Sequence, residues 1–340
     1  MARDQAVAQT ITLAEAEQLA GQALERAGTA AAAAASVARA IARAEADGLS
    51  SHGLARIPAY CAQVRTGKVE GRAAPKLVPL GPSGARVDAR YGFAFPALDL
   101  AIDAAVERAN RTCTAGIAIT NSHHFGVAGH HVERVAERGL VGLVMGNSPG
   151  GIAPWGGRRA LLGTNPIAFA CPRRDAPALV VDVSLSKVAR GKVMLAAERG
   201  EPIPGDWALD AGGRPTTDAK AALAGTMLPL GDAKGAALAL MVEILAAALT
   251  GANFAAEASS FFDDQGPPPG VGQCLIALDP GPFSDGRFTD RLEVLLRAIE
   301  DEPGARLPGA RRLALRHKAA TDGIAVPAAL LERIRELAVA

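Results

Sequence analysis

Short apolar runs that alternate with alanine-rich helical stretches from Ala85 onward constrain the fold more than any other feature of this sequence. Short apolar runs bounded by turn residues are typical of buried strands, and longer stretches with a helical period are typical of helices. The predicted strands are residues 116–120, 141–145, 167–171, 179–183 and 274–279. The predicted helices among them are residues 97–109, 129–137 and 234–248. This alternation predicts an α/β fold.

The two ends of the chain have helical sequences. Thr12 and Glu15 form a T-x-x-E capping box, which marks the start of a helix that continues to Arg26. A second helix is predicted over residues 30–46, where alanine, the strongest helix former, dominates. A last helix is predicted over residues 327–340.

A segment rich in glycine and proline, residues 66–84, is predicted to connect two parts of the molecule. We expect the N-terminal helical segment, residues 1–75, to pack with the C-terminal residues 310–340. Residues 76–309 are then expected to form a mixed α/β region that carries the binding sites.

Charge and composition exclude several classes of function. Lys plus Arg total 36 against 35 for Asp plus Glu, so the chain lacks the basic excess of nucleic-acid-binding proteins. The four cysteines lie far apart and include no C-x-x-C pair, which argues against a zinc ribbon or a redox dithiol. We expect neither a metal nor a nucleic-acid partner.

No segment of the sequence is predicted to enter a membrane. Residues 1–10 carry charges and contain no apolar stretch of the kind that a signal peptide needs. The most apolar stretch, residues 235–254, has Glu243 near its middle, which favours a buried helix over a bilayer span. We expect a cytoplasmic protein.

Several common motifs of cofactor and catalytic sites are absent. No G-x-G-x-x-G string follows a predicted strand, so an ordinary Rossmann fingerprint is excluded. The sequence also lacks a P-loop, a G-x-S-x-G elbow and an H-E-x-x-H motif. The main chemical signal is the uneven use of histidine, because five of the six are His52, His123, His124, His130 and His131.

His52 follows Ser51 and precedes Arg56 and Tyr60 by four and eight residues. On a helix, this spacing places imidazole, guanidinium and phenol along one face. An imidazole transfers protons near neutral pH, and a guanidinium binds a carboxylate through two parallel hydrogen bonds. The segment therefore indicates a reaction on a small carboxylic acid. The alternative is a surface helix with a solvent-facing arginine.

The string NSHHFG, residues 121–126, follows a predicted strand and precedes a predicted helix. Backbone N–H groups at such a junction bind phosphates and carboxylates. The alternatives are a metal site and a polar turn. A metal is disfavoured, because no acidic or cysteine neighbour is present to complete a coordination sphere.

Taken in order, these segments resemble the malate/L-lactate dehydrogenase type 2 family of NAD(P)-dependent oxidoreductases. The strings that carry the resemblance lie within residues 47–312 and are DGLSSHGLARIPAY, NSHHFGVAGHHVE, APWGG with LLGTNPIAFACP, VVDVSLSKVARGK, PIPGDWALDAGGRPTTD, GDAKGAALALMVEILAAALTG and LPGARR. The resemblance implies the α/β fold of that family, with a non-Rossmann cofactor domain and helical N- and C-terminal segments. It also implies a homodimer whose active site lies near the subunit interface.

The resemblance implies roles for particular residues. His52 is expected to exchange a proton with the substrate, Ser51 to orient it, and His123 or His124 to be a second catalytic group. Arg56 is expected to bind the substrate carboxylate. The other residues expected near the substrate are Tyr60, Thr164, Arg190 and Gly191. The cofactor is expected to contact His124, Phe125, Gly126, Val127, Ala128, Asp182, Val183, Ser184, Ala233, Lys234, Arg311 and Arg312.

One branch of this family reduces the cyclic imines Δ1-piperideine-2-carboxylate and Δ1-pyrroline-2-carboxylate, and it carries a His-Gly-Asp string. The matching string here is Arg190-Gly191-Lys192, so a base replaces the acid and Lys192 becomes a catalytic candidate. Added positive charge beside Arg56 favours a substrate with a second anionic group, such as sulfolactate or malate. The alternative is that Lys192 points into solvent.

The sequence therefore predicts an NAD(P)-dependent dehydrogenase that interconverts a small 2-hydroxy acid, of the dianionic sulfolactate or malate type, and its 2-oxo acid. NADPH is favoured over NADH, because Arg311 and Arg312 suit a 2′-phosphate. One alternative is NADPH-dependent reduction of the cyclic imines. Another is a ligand-binding relative without activity, which the intact Ser51, His52 and Arg56 disfavour.

Overall fold

A computed structural model describes residues 8–339 of the chain. The helices are α1 (Leu13–Arg26), α2 (Ala31–Ala46), α3 (Ile57–Arg65), α4 (Ala94–Thr112), α5 (Ala128–Ala136), α6 (Arg190–Arg199), α7 (Ala219–Leu223), α8 (Ala233–Glu243), α9 (Pro280–Ser284), α10 (Phe288–Glu300), α11 (Ala310–Asp322) and α12 (Ala328–Val339). The strands are β1 (Ala8–Ile11), β2 (Lys76–Pro79), β3 (Gly84–Asp88), β4 (Thr114–Ser122), β5 (Val141–Gly146), β6 (Ile167–Cys171), β7 (Leu179–Val183), β8 (Ala208–Leu209), β9 (Thr226–Met227), β10 (Val271–Leu278) and β11 (Ile324–Pro327). Residues 1–7, on which the prediction of no signal peptide depends, lie outside the described residues.

A seven-stranded sheet with the order β2-β3-β4-β10-β5-β6-β7 forms the centre of the described chain. Only β3 and β4 pair in parallel, and the other neighbours in this sheet are antiparallel. A Rossmann sheet is mostly parallel and needs a helical crossover between neighbouring strands. The predicted α/β fold of non-Rossmann type is therefore confirmed.

Helices α4 and α5 cover the sheet because their apolar residues recur at helical spacing. Leu98 and Ile102 of α4 are fully buried, as is Val132 of α5. They pack in one core with Ile119 of β4 and Leu275 of β10. This packing holds the end of β4 and the segment that joins it to α5, which together carry NSHHFG, against the middle of the sheet.

A second core joins the two ends of the chain. Leu24 of α1, Ile41 of α2 and Ile57 of α3 are buried together with Leu331 and Ile334 of α12. Strand β1 pairs with β11 in the same region, with antiparallel register. The side chain of Thr12 accepts a hydrogen bond from the backbone N–H of Glu15 at 3.1 Å, which confirms the predicted cap of α1.

Two predicted boundaries are wrong. The connection predicted over residues 66–84 contains strand β2 and the first residue of β3, because short strands of mixed polarity give little periodic signal. Pro327 ends β11 rather than opening the last helix, which begins at Ala328. The final residue of that predicted helix, Ala340, lies outside the described residues.

Glu243, in the most apolar segment of the chain, is buried and satisfied by hydrogen bonds. Its carboxylate accepts from the side-chain amides of Asn147 and Asn165, at 3.1 and 2.8 Å, and from the backbone N–H of Ala255 at 2.6 Å. A buried carboxylate needs such partners to offset its desolvation. Between residues 8 and 339, no helix is long and apolar enough to span a bilayer.

Candidate active site

The segment around His52 consists of two 3-10 turns, Ser50–His52 and Leu54–Arg56, followed by α3. Helical structure therefore follows His52 and includes Arg56 and Tyr60, but His52 itself lies in a separate turn, so the three side chains do not share one regular helix. Gly53 separates the turns with φ −96° and ψ −140°, and a Cβ at this position would lie 2.2 Å from a carboxylate oxygen of Glu45. Only glycine therefore fits between the two turns.

Glu45, in α2, fixes the conformation of this segment. It is buried, and its carboxylate accepts from the backbone N–H of Leu54 at 2.7 Å and from the hydroxyl of Ser50 at 2.9 Å. Sequence reasoning missed this residue, because a single glutamate in an alanine-rich helix gives no signal of its long-range partners.

His52 and Ser51 lie together at the surface end of the site. The Ser51 hydroxyl is 3.0 Å from Nδ1 of His52. Burial, together with the nearby positive charge of Arg56, lowers the pKa of His52 to about 4. The imidazole is therefore neutral at neutral pH and available as a proton acceptor.

Arg56 is a buried cation, only 8% exposed. Its Nε donates to the Ser51 carbonyl at 2.9 Å, and its guanidinium carbon lies 4.7 Å from the ring centre of Phe262. Across residues 8–339, no carboxylate forms a salt bridge with this guanidinium. Buried charges are normally paired, so Arg56 is a specific feature to explain.

The structure places His124 next to His52. The two rings stack with centroids 5.4 Å apart, and the Tyr60 hydroxyl lies 2.6 Å from Nδ1 of His124. His123 points elsewhere: it is 1% exposed and packs against Tyr60, Phe93 and Phe261. We refer to His52, Arg56, Tyr60, His123 and His124 as the His52 cluster.

The loop that contains Phe261 and Asp263, which sequence reasoning missed, packs against the His52 cluster. Phe261 packs against the rings of His123 and His124, with centroids 5.3 and 5.2 Å apart. Gln63 donates to the Phe261 carbonyl at 3.2 Å. The buried Lys68 donates to the carbonyl and a carboxylate oxygen of Asp263, each at 3.0 Å. The loop is thus held through its backbone, which gives no recognisable sequence signal.

Three of the segments predicted to contact cofactor come together at the start of α5. Gly126 has φ +68°, a conformation that favours glycine, and its Cβ would lie 2.9 Å from the ring of Phe95. The backbone N–H of Gly129 donates to the Asp182 carboxylate at 2.7 Å. A Cβ on Gly129 would also approach the guanidinium of Arg312 to 3.2 Å. One N–H of the helix terminus therefore already binds a carboxylate of the chain itself, that of Asp182.

A group of charged residues behind this junction was missed by sequence reasoning. Arg316 donates to Asp47 at 2.8 and 2.9 Å and to Glu133 at 2.9 and 3.1 Å. His130 Nε2 lies 2.8 Å from Asp47, and Arg312 lies 3.6 Å from Asp47 and 3.7 Å from Glu133. We refer to these five residues as the Asp47 network.

Hydrogen bonds within the Asp47 network keep its carboxylates ionised. Burial alone would raise the pKa of Asp47, but hydrogen bonds from His130 and Arg316 outweigh it and lower this pKa to about 2. Burial would also raise the pKa of Glu133, but the hydrogen bond from Arg316 and the nearby charges of Arg43 and Arg312 together outweigh it and lower this pKa. The network is therefore internally compensated.

The remaining predicted residues near the cofactor and substrate are distributed over several helices, strands and loops. The backbone N–H of Thr164 donates to the Ser148 hydroxyl at 3.0 Å, and its carbonyl accepts from Leu185 at 2.8 Å. Ser184 follows β7, and its hydroxyl lies 2.9 Å from that of Ser186. The other predicted cofactor residues are placed as follows: Phe125, Val127 and Ala128 are buried, and Val183, Ala233, Lys234 and Arg311 are exposed.

Residues Arg190, Gly191 and Lys192 form the first turn of α6. Arg190 is half-buried, and its guanidinium donates to the Leu223 carbonyl at 3.1 Å. Gly191 and Lys192 are exposed. The exposure of Lys192 agrees with the alternative in which its side chain points into solvent. Within residues 8–339, no group of His, Cys, Asp or Glu side chains is arranged to hold a metal ion.

Comparison with known proteins places the chain among dehydrogenases and reductases. The model of the malate/L-lactate dehydrogenase family matches residues 11–335. The chain is 52% identical over 329 residues to a (2R)-3-sulfolactate dehydrogenase (NADP(+)) of Chromohalobacter salexigens, which covers 97% of this chain and 98% of that protein. It is 40% identical to a Delta(1)-pyrroline-2-carboxylate reductase of Pseudomonas fluorescens, with 96% and 98% covered.

Solved structures that resemble this chain are also those of dehydrogenases and reductases. A Δ1-piperideine-2-carboxylate reductase from Pseudomonas syringae superposes with a TM-score of 0.92 at 39% identity, covering 97% of this chain and 99% of the other. The sulfolactate dehydrogenase of Methanocaldococcus jannaschii superposes with a TM-score of 0.89 at 28% identity, covering 97% and 96%.

Proposed function

Since the chain belongs to the malate/L-lactate dehydrogenase family, we propose that it is an NADP-dependent dehydrogenase that interconverts a small dianionic 2-hydroxy acid and its 2-oxo acid. The proposed substrates are of the sulfolactate or malate type. The resemblance predicted from the sequence is confirmed over residues 11–335, and the relatives are oxidoreductases.

The observation that carries this proposal is the uncompensated guanidinium of Arg56 beside His52. A buried cation without a counter-ion is costly, and a substrate carboxylate offsets this cost by binding it. Within the described chain, the neighbours of Arg56 are aromatic rings, imidazoles and backbone carbonyls. An anion is what this site lacks, and every 2-hydroxy acid substrate supplies one.

His52 is proposed to exchange the proton on the C2 oxygen. In oxidation, Nδ1–H of His52 donates to the Ser51 hydroxyl, which leaves Nε2 free to accept the proton of the substrate hydroxyl. The nicotinamide cofactor, when bound, accepts the hydride from C2, and in reduction it supplies one. A carboxylate on Arg56 removes part of the positive field that lowers the pKa of His52, so the substrate itself prepares the ring for protonation.

The chemistry of the side chains around the start of α5 fits a nucleotide cofactor. The carboxylate of Asp182, which accepts from the backbone N–H of Gly129, suits ribose hydroxyls, and the exposed cation Arg311, next to Arg312 in the chain, suits a phosphate. Lys234, exposed in the first turn of α8, stays a proposed cofactor contact. Arg312 is already engaged with Asp47 and Glu133. We therefore assign the proposed 2′-phosphate contact to Arg311. The NADP(+) in the name of the sulfolactate relative supports the same preference.

The second candidate function is reduction of cyclic imino acids. Relatives at about 40% identity carry the names of Δ1-pyrroline-2-carboxylate reductases, and the same arginine and histidine could serve that reaction. The string Arg190-Gly191-Lys192 disfavours it, because the acid of the imine-reducing branch is replaced by a cation. Arg190 and Lys192 remain proposed contacts of the second anionic group.

We also propose a cytoplasmic homodimer. Large apolar side chains are exposed along α8, the π-helical turn Ile244–Ala248 that follows it and the next residue; they include Leu238, Met241, Ile244 and Leu249. Extended apolar surface of this kind is typical of subunit interfaces. Sedimentation equilibrium of the wild type and of Ile244→Lys tests this proposal, since the charged variant is expected to be monomeric.

Steady-state kinetics test the proposed function. The purified protein is assayed with sulfopyruvate, oxaloacetate, pyruvate and the two cyclic imines, each with NADPH and with NADH. We expect the highest kcat/KM with a dianionic 2-oxo acid and NADPH. Higher kcat/KM with the imines would favour the second candidate. Hydride transfer to none of them would indicate a ligand-binding relative.

A further inference from the structure

The phenol of Tyr60 is the feature of the His52 cluster that the proposed reaction leaves unexplained. Tyr60 was expected to contact substrate, but its side chain is fully buried. Among the described residues, the only hydrogen-bond partner of its hydroxyl is Nδ1 of His124, at 2.6 Å. A residue without exposed surface acts on the substrate only through its neighbours.

The direction of this hydrogen bond follows from donor and acceptor accounting. If Nδ1–H of His124 donated to the phenol oxygen, the O–H of Tyr60 would be buried without an acceptor, which costs about 1–3 kcal/mol. If Tyr60 donates instead, both partners are satisfied. In a neutral imidazole, one nitrogen accepts and the other carries the proton. Nε2 of His124 then carries the proton.

The titration properties of the two residues agree with this assignment. Burial raises the pKa of Tyr60 to about 12, so the phenol keeps its proton. Burial, with Arg56 and His52 adding to it, holds the pKa of His124 well below its usual range, so its ring is neutral.

We infer that Tyr60 is a positioning residue that holds His124 as the Nε2–H tautomer, so that His124 donates a hydrogen bond to the substrate oxygen on C2. His124 retains 7% exposure, and its Nε2 has no acceptor among residues 8–339. The two N–H directions of an imidazole diverge, so Nε2 faces away from Tyr60. The inference rests on the proposed function, because it assigns a step of that reaction.

This assignment gives the stacked rings of His52 and His124 different roles in the proposed reaction. His52 presents an acceptor in oxidation and takes the hydroxyl proton, while His124 presents a donor that stabilises charge on the same oxygen. A neutral histidine can serve as such a donor when its surroundings prevent protonation. The proton therefore moves to or from His52 alone, and His124 keeps its own.

The tautomer can be measured directly by ¹⁵N NMR of the protein labelled at its histidines. The signals of His124 are assigned by their loss in His124→Gln. We expect a protonated Nε2 and an unprotonated Nδ1 in the wild type. In Tyr60→Phe, we expect a mixture of tautomers. A wild-type His124 protonated at Nδ1, or at both nitrogens, would overturn the inference whether or not the protein turns over any tested substrate.

Kinetics test the consequence for catalysis. We expect Tyr60→Phe to lower kcat about 10- to 100-fold, as for loss of other groups that orient a functional histidine, with little change in KM. Tyr91→Phe is the matched control, because Tyr91 is the only other tyrosine of the chain and is exposed. Wild-type kcat in Tyr60→Phe would contradict the inference.

Substitution of His124 provides a test that does not depend on Tyr60→Phe folding. The amide of His124→Gln can still donate near the position of Nε2, whereas His124→Leu cannot. We expect the glutamine variant to retain at least tenfold more kcat than the leucine variant. Equal kcat in the two variants would indicate that His124 transfers a proton, and the inference would be wrong.

Discussion

Two groups of buried histidines lie in one short segment of the chain, and they differ in whether the charged residues around them are paired. His123 and His124 belong to the His52 cluster, where the cation Arg56 has no carboxylate partner among the described residues. His130 belongs to the Asp47 network, where Asp47 and Glu133 are each bound by Arg316. Both groups are shielded from water, so burial alone does not distinguish them.

Whether the charges of a group are paired with opposite charges indicates what that group does. In the Asp47 network, every charge has an opposite charge within 4 Å, and the network joins the end of α2 to α5 and α11. Such a group can hold elements together without a ligand. In the His52 cluster, one charge and several imidazole nitrogens lack partners within the described chain. That group is incomplete until an anion binds.

The largest expected effect separates the two groups by their chemistry. We expect His52→Ala to lower kcat by about 10²–10⁴, because it removes proton transfer, while cofactor affinity stays nearly unchanged. The matched change in the other group, His130→Ala, is expected to lower Tm and to retain kcat in the folded protein. Steady-state kinetics and thermal unfolding measure both. Near-normal turnover of His52→Ala would exclude it as the proton-transferring group.

The next prediction compares two buried arginines. Arg316→Met leaves Asp47 and Glu133 without their main partner, and we expect it to lower the free energy of unfolding by about 3–5 kcal/mol. Arg56→Met removes a buried cation that has no carboxylate partner, so we expect a much smaller loss of stability together with a large loss of kcat/KM. Urea unfolding of both variants measures the contrast. Equal destabilisation by the two substitutions would contradict the distinction between a structural Asp47 network and a ligand-binding Arg56.

A smaller effect is expected in the dependence on pH. Oxidation requires neutral His52, so activity is lost as the pH falls through its pKa. For the free enzyme this pKa is about 4, and kcat/KM of oxidation is therefore expected to be flat above about pH 5. In the complex, the substrate carboxylate offsets Arg56, so the acid limb of kcat is expected at higher pH. An acid limb of kcat/KM near pH 6.5 would show that burial does not lower this pKa.

The smallest effect is expected at Lys192. Its side chain is exposed, and exposed charge pairs contribute about 0–1 kcal/mol. Lys192→Ala should therefore lower the ratio of kcat/KM for a dianionic 2-oxo acid over pyruvate by no more than about fivefold. Arg190→Met serves as the comparison, since its half-buried guanidinium is expected to have the larger effect. An unchanged ratio in both variants would place the second anion elsewhere.

The predicted strands of the central sheet agree with the structure because their sequences carry the signal locally. The run at Leu179–Val183 coincides with β7, and the other predicted strands overlap observed ones. Strands β1 and β11 were missed. Each has four residues, and their pairing joins the two ends of the chain, so nothing within either segment indicates it.

In the candidate site, too, some features follow from local sequence and others only from the tertiary structure. The strings around His52 and His124 indicated a site for a small carboxylic acid, because the residue types and their spacing are local. The choice of His124 over His123 as the ring beside His52 depends on stacking, which the sequence does not specify.

The sequence by itself determined the α/β class, the family and the segments that carry the chemistry, since each follows from periodicity or from short strings of residues. Only the tertiary structure decided which charges are compensated. Arg316 meets Asp47 across 269 positions of the chain, whereas no described carboxylate reaches Arg56. Charge pairing depends on distances between elements that are remote in sequence, and it is this pairing that separates the structural network from the site that awaits an anion.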